Sequence, residues 1–198
     1  MEIHFQCQLL PNLPHSSRLE PAQNSPLLHT PIPKWLTCEI TTLTSNTIFS
    51  VTFIYAYNTP AERTSLWRYI GQESRKNSST PWVLMGDFNA IMRPGDRKGG
   101  DETWHNYLDE FSECIQQAEL IQIPYMGLKF SWHNGQKGGH TIQKKLDWLF
   151  CNTCFLTKLP EVNSVFQHRH VSVHSAMLLN SHNTRAKQRY PPFKFLNL

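Results

Sequence analysis

The sequence predicts a mixed α/β fold of two packed sheets with helices on the outside, and three observations predict it. The β-branched and aromatic runs "WLTCEITTL" and "IFSVTFIYAY" stand either side of Thr44, Ser45 and Asn46, as an antiparallel pair does. Two stretches of helical period are interleaved with strand-like runs. Between the helices lies "PWVLMGDFNAI", residues 81–91, whose continuous apolar stretch suits a strand buried on both faces.

Taken in order, residues 1–34 carry six prolines among Ser, Asn and His, and read as irregular apart from a short strand within "IHFQCQLL". The domain proper is expected over 35–179. After Pro60, a helix start signal, Leu66, Trp67, Tyr69 and Ile70 share one helical face. Beyond the "GDFN" strand, Trp104, Tyr107, Leu108, Phe111, Ile115 and Ala118 repeat with helical period. "LIQI" and "LKFSWHN" then read as strands around a turn at Met126–Gly127. "TIQKKLDWLF", "PEVNSVF" and "VSVHSAMLL" read as three more. Residues 180–198 return to polar, Pro-containing sequence and read as a loose tail.

At 198 residues the chain is long enough for one domain with a real core. The net charge of +4 permits an anionic partner without demanding one, because the basic pairs (Arg75–Lys76, Arg97–Lys98, Lys144–Lys145, Lys187 with Arg189) are scattered. Five cysteines without regular spacing argue against a disulfide framework and for a reducing compartment. No apolar run reaches the length of a membrane span, and no secretory signal is evident. The expectation is an intracellular protein, nuclear or cytoplasmic.

Polar residues stand at the ends of several expected strands: Tyr55 in "FIYAYN", Asp87 and Asn89 in "GDFN", Asp147 in "KKLDWLF", His174 in "VSVHSAML". Each alone is ordinary, since Asp and Asn form turns and a strand-end Tyr is usually core. Together they supply a carboxylate base, an amide, a phenol and an Asp–His pair. That set suits attack of water on a phosphate ester. "DRKGG" reads equally as a phosphate-binding loop or as a plain surface turn.

In "VTFIYAYNTPAERTSLW", "PWVLMGDFNAI", "DRKGG", "GLKFSWHNG", "IQKKLDWLF" and "HVSVHSAML", the chain resembles the endonuclease/exonuclease/phosphatase superfamily. Within it, the resemblance is to the endonuclease-like domain of plant non-LTR retrotransposon reverse-transcriptase polyproteins. It implies a deoxyribonuclease-I-like sandwich of two mixed sheets flanked by helices, cleavage of DNA, and Mg²⁺ or Mn²⁺ as cofactor. It also implies roles. Asp87 positions or deprotonates water and contributes to a metal site; Asn89 holds the water and the phosphate; His174 stabilises the phosphoryl oxygens; Asp147 orients His174; Tyr55 hydrogen-bonds the phosphate. Trp132 and Asn134 fall on a loop near the nucleic-acid groove.

The departures from that pattern matter equally. The family ends in Ser-Asp-His, whereas this chain has Ser172, Val173 and His174. The family also opens with two strands bearing an Asn and the principal metal-binding Glu. Here Asn12 and Glu20 follow no apolar strand, so the first strands are expected to be missing or degenerate. Two lost carboxylates predict weak or absent Mg²⁺ binding and a degenerate nuclease, or a vestigial module that binds nucleic acid without cutting it. A third reading comes from spacing alone: Cys151 and Cys154 with His170 and His174 match C-x2-C and H-x3-H, a zinc-binding arrangement. The alternation in "HVSVHSAML" favours a strand there, and a finger needs a helix.

Overall fold

The computed structural model describes residues 5–9, 34–42, 46–101, 103–169 and 171–180. In chain order the elements begin with β1 (Phe5–Leu9), β2 (Trp35–Thr42), β3 (Ile48–Tyr55), α1 (Pro60–Lys76), β4 (Trp82–Asp87) and β5 (Arg97–Lys98). They continue with α2 (Asp109–Gln117), β6 (Ile121–Gln122), β7 (Tyr125–Gly127), β8 (Trp132–His133) and β9 (Gln143–Lys144). Last come β10 (Asp147–Cys151), α3 (Thr153–Lys158), β11 (Asn163–Phe166) and β12 (Met177–Asn180).

Six strands form the main sheet in the order β1-β2-β3-β4-β10-β6. β3 and β4 run parallel because α1 carries the chain back between them, while the other pairs are antiparallel. A second sheet, β12-β11-β7, packs on one face of it, and a small sheet, β5-β9-β8, stands apart. The expected two-sheet α/β architecture is therefore present, and "IHFQCQLL" does contribute an edge strand.

The central strands explain their own sequence. Along β4, Trp82 and Leu84 enter the core beneath α1 and α2, while Val83 enters the core between the two sheets. β10 does the same with Trp148 and Phe150 against Leu149 and Cys151. A strand covered on both faces has no polar face to show, so it reads as a continuous apolar run. Full burial of Trp82, Trp148 and Phe150 contributes roughly 2–3 kcal/mol each. Asn152 ties three elements at the far end of these strands. Its carbonyl oxygen accepts from Phe155 N and Trp82 N, capping α3, and its amide donates to Asn77 O and Thr80 O.

Three expectations need correction. Met126–Gly127 is no turn but part of β7, which pairs in parallel with β11. Gly127 is required there, because at φ 91° a Cβ would lie 2.1 Å from Phe166 O. "LKFSWHN" supplies strand only at Trp132–His133, and "VSVHSAMLL" only from Met177 onward. The second helical period becomes a short 3-10 turn, Asn106–Leu108, followed by α2, with Trp104 outside both.

Candidate functional site

Strand register brings the expected residues together. Asp147 of β10 is the direct partner of Asp87 in β4, and Asp87 is the partner of Tyr55 in β3. Directly opposed residues point to the same face of a sheet, so all three line the edge where the inter-sheet core opens. Asp87 and Asp147 are each 8% exposed, whereas Tyr55 is 63% exposed at the mouth.

The "GDFN" turn is a turn and a site at once. Asp87 Oδ1 accepts from the Asn89 backbone N–H at 2.9 Å, an Asx turn that leaves Oδ2 facing away. Asn89 adopts φ 48°, the left-handed conformation that Asn tolerates well. Its Nδ2 donates to Ala56 O at 2.8 Å, and Ala56 N donates to Asp87 O at 2.7 Å. Behind this turn sits Arg63, 5% exposed, whose Nη1 donates to Asn89 O, Asn58 O and Tyr57 O. Burial holds this guanidinium below its usual range, with Glu110, Tyr107 and Asp87 opposing the shift. Arg63 carries no mark of this role in the sequence, because a basic residue in the first turns of an amphipathic helix looks like a solvated one.

His174 arrives from the other side. Its Nδ1–H donates to Asp147 Oδ2 at 2.9 Å, the tautomer that an ionised carboxylate selects, and Nε2 lies 3.9 Å from Asp87 Oδ2. Two backbone bonds seat it beside Trp132: Ser175 N to Ser131 O at 2.7 Å, and His133 N to Val173 O at 3.1 Å. Fully buried Ser131 serves both partners, since its Oγ accepts from Leu146 N and Asp147 N at 3.0 Å. Nothing in the sequence singled out Ser131, because a buried Ser has the same composition as a surface one.

The electrostatics follow from this packing. Burial pushes Asp87 up to about 6, and the nearby Asp147 charge adds to the shift. The Asn89 N–H, His174 and Arg63 oppose it. The hydrogen bond to Asp147 raises His174 above its ordinary 6.5 against the cost of burial. A raised histidine stabilises the fold fully below pH 6.5, and that contribution disappears as the pH rises through its folded-state value. In Asp147→Asn we expect the His174 titration, followed by NMR, to move to lower pH, because the hydrogen bond to Asp147 is the largest cause of its rise. An unchanged titration would mean that the 2.9 Å contact carries no charge coupling.

The remaining expectations divide. Trp132 forms an isolated bridge with His174, and Lys144 Nζ lies 5.8 Å from its ring centroid, so it borders the site. Asn134 closes its own loop instead: its Oδ1 accepts from Gln136 N and Ile142 N, and its Nδ2 donates to His140 O. The glycines of "DRKGG" pack against the β9 approach, where a Cβ on Gly99 would lie 2.3 Å from Thr141 O. The zinc arrangement does not assemble. Cys151 ends β10 and His174 contacts its first residue, so four residues of strand, about 13 Å, separate them. Cys151 is a fully buried core thiol pushed up to about 12, Cys154 Sγ donates to Ser78 O, and His170 lies outside the described residues.

Among the described residues, no three His, Cys, Asp or Glu side chains are arranged to hold a metal ion. Asp87 and Asp147 are each engaged through one oxygen, by Asn89 and His174, so the oxygens left for a cation are Asp87 Oδ2, Asp147 Oδ1 and the Asn89 carboxamide oxygen. Mg²⁺ takes near-octahedral oxygen ligation, and these oxygens supply only part of such a set.

No family model matches the chain, and no curated protein matches it in sequence. Solved structures do match its fold. The endonuclease domain of TRAS1, a telomere-specific non-LTR retrotransposon, superposes with a TM-score of 0.54 at 18% identity, over 73% of this chain and 62% of that one. The AP endonuclease LMAP from Leishmania major gives 0.52 at 15% identity, over 73% and 53%. A Staphylococcus aureus beta toxin mutant with bound magnesium ions gives 0.47 at 12%, over 75% and 54%. This chain thus spans between half and two thirds of the length of these neighbours. Its fold is the one that the retrotransposon endonuclease domain and the AP endonuclease share.

Proposed function

We propose that the chain is a DNA-endonuclease-like domain of retrotransposon origin that has kept the phosphate-contacting half of a phosphodiesterase site and lost the cation-holding half. The observation that carries this reading is the line Asp87–His174–Asp147, set by the register of β4 and β10 and closed at 2.9 and 3.9 Å. Asp147 fixes the ring so that Nε2 faces the opening, where it donates to a phosphoryl oxygen when protonated. Asp87, pushed up to about 6, is ionised at neutral pH yet basic enough to accept a proton from water. Asn89, held by Ala56 O, orients that water or the phosphate, and exposed Tyr55 adds a hydroxyl donor. A divalent ion, Mg²⁺ or Mn²⁺, would neutralise charge on the phosphoryl oxygens in a complete site.

Val173, in the place of a family carboxylate, is 44% exposed and supplies no ligand. Catalytic groups act as a unit, so the surviving ones need not preserve most of the rate. The resulting function is DNA binding without cleavage. In a plasmid assay with Mg²⁺ or Mn²⁺ we expect no nicking above background from the wild type, and no gain from Val173→Asp. Metal-dependent nicking by the wild type that disappears in Asp87→Ala would show that the site is alive.

A further inference from the structure

The row of site residues does not end at Tyr55. Tyr55 N donates to Lys34 O at 2.8 Å, so Lys34, immediately ahead of β2, stands abreast of Tyr55, Asp87 and Asp147 on the next three strands. Lys34 therefore shares the face of the site, two strand spacings from Asp87, about 10 Å. Its ammonium is held over two aromatic rings, 5.1 Å from the Tyr55 centroid and 4.6 Å from that of Tyr57. Among the described residues no carboxylate forms an ion pair with it. The arrangement is a fixed cation flanked by aromatic rings, one of them largely exposed, in line with the residues that face the phosphate.

We propose that Lys34, Tyr55 and Tyr57 form a second nucleic-acid subsite, with Lys34 on a backbone phosphate one or two nucleotides from the one at His174, and a tyrosine ring under the adjoining base. This rests on the proposed phosphate-contacting role of the Asp87–His174 end and names what lies next to it. A lysine matches a phosphate as a point charge, and aromatic faces stack on any base, so the subsite takes a single strand without regard to sequence. Cation–π contacts keep the ammonium in place without neutralising it, which leaves its charge for the ligand.

The test is fluorescence anisotropy of a labelled single-stranded DNA 12-mer with the full chain, over a salt series in EDTA. Neutralising one phosphate contact reduces the slope of log K against log salt by about 0.7 for single strands. Lys34→Gln should show that reduction, Lys34→Arg should restore the wild-type slope, and Tyr57→Leu should weaken binding about tenfold with the slope unchanged. Thermal melts establish that each variant is folded, and the arginine variant tests the charge independently of any local rearrangement. If the wild type binds, His174→Ala weakens it and Lys34→Gln changes neither slope nor affinity, the subsite is wrong while the phosphate-contacting reading stands. A folded wild type that binds no DNA overturns both.

Discussion

Gly86→Ala is expected to destabilise the fold by about 4 kcal/mol, a fall in Tm on the order of 10 °C for a chain of this size. Gly86 lies inside the main sheet at φ 141°, a conformation L side chains rarely adopt, and it pairs with Ile54 of β3. A Cβ there would sit 2.0 Å from Ile54 O and 2.8 Å from its carbonyl carbon. Backbone cannot swing aside as a flexible side chain can, so β3 and β4 must separate. Asp87 and Tyr55 are the next residues on those strands, so their alignment goes with it. Circular dichroism melts measure the first effect, and the His174 titration reports the second, since Asp87 is one of the charges that raise it. A variant that melts within about 2 °C of the parent would mean that the strands adjust freely at this point.

Lys145→Met is expected to stabilise the protein at neutral pH, by roughly 2–4 kcal/mol. Lys145 is 2% exposed, and among the described residues its Nζ has no hydrogen-bond partner. Instead it lies among the rings of Tyr125, Phe166 and Trp148, with centroids at 3.5, 4.3 and 4.9 Å. Ring faces attract the ammonium by about 2 kcal/mol in a desolvated setting, and Asp96 and Asp147 also favour the charge. Burial outweighs the two carboxylates and brings the group down from 10.5 to about 8. The sign follows from proton counts. Between pH 8 and 10.5 the unfolded chain binds the proton that the folded chain has released, so wild-type stability rises with pH across that window. Methionine keeps the apolar stem and offers a sulfur to the same rings. The stability gap between variant and wild type should therefore be widest below pH 8 and close toward pH 10.5. A variant less stable than the wild type at pH 7 would show that the aromatic cage outweighs desolvation.

The sequence by itself determined the elements whose signals are local. The apolar run into Gly86–Asp87 was readable because a strand buried on both faces must be apolar throughout. α1 was readable from Pro60 and from Leu66 and Ile70 on one face. Asp87, Asn89, Asp147 and His174 were readable as strand-end residues that also match a known pattern, and that resemblance implied that Asp147 meets His174, though no periodicity showed it. That meeting depends on Asp147 pairing with Asp87 sixty residues away and on Ser131 linking Asp147 to the His174 segment, and register between distant strands leaves no mark in either strand's own periodicity. β7 was hidden for the same reason, since Tyr125–Gly127 becomes a strand only when β11 offers it a parallel edge. Arg63, Lys145 and Lys34 have the composition of surface cations. Only the tertiary structure placed the first under three carbonyls, the second inside a ring cage and the third at the end of the site row, because burial of a polar side chain is decided by what packs over it.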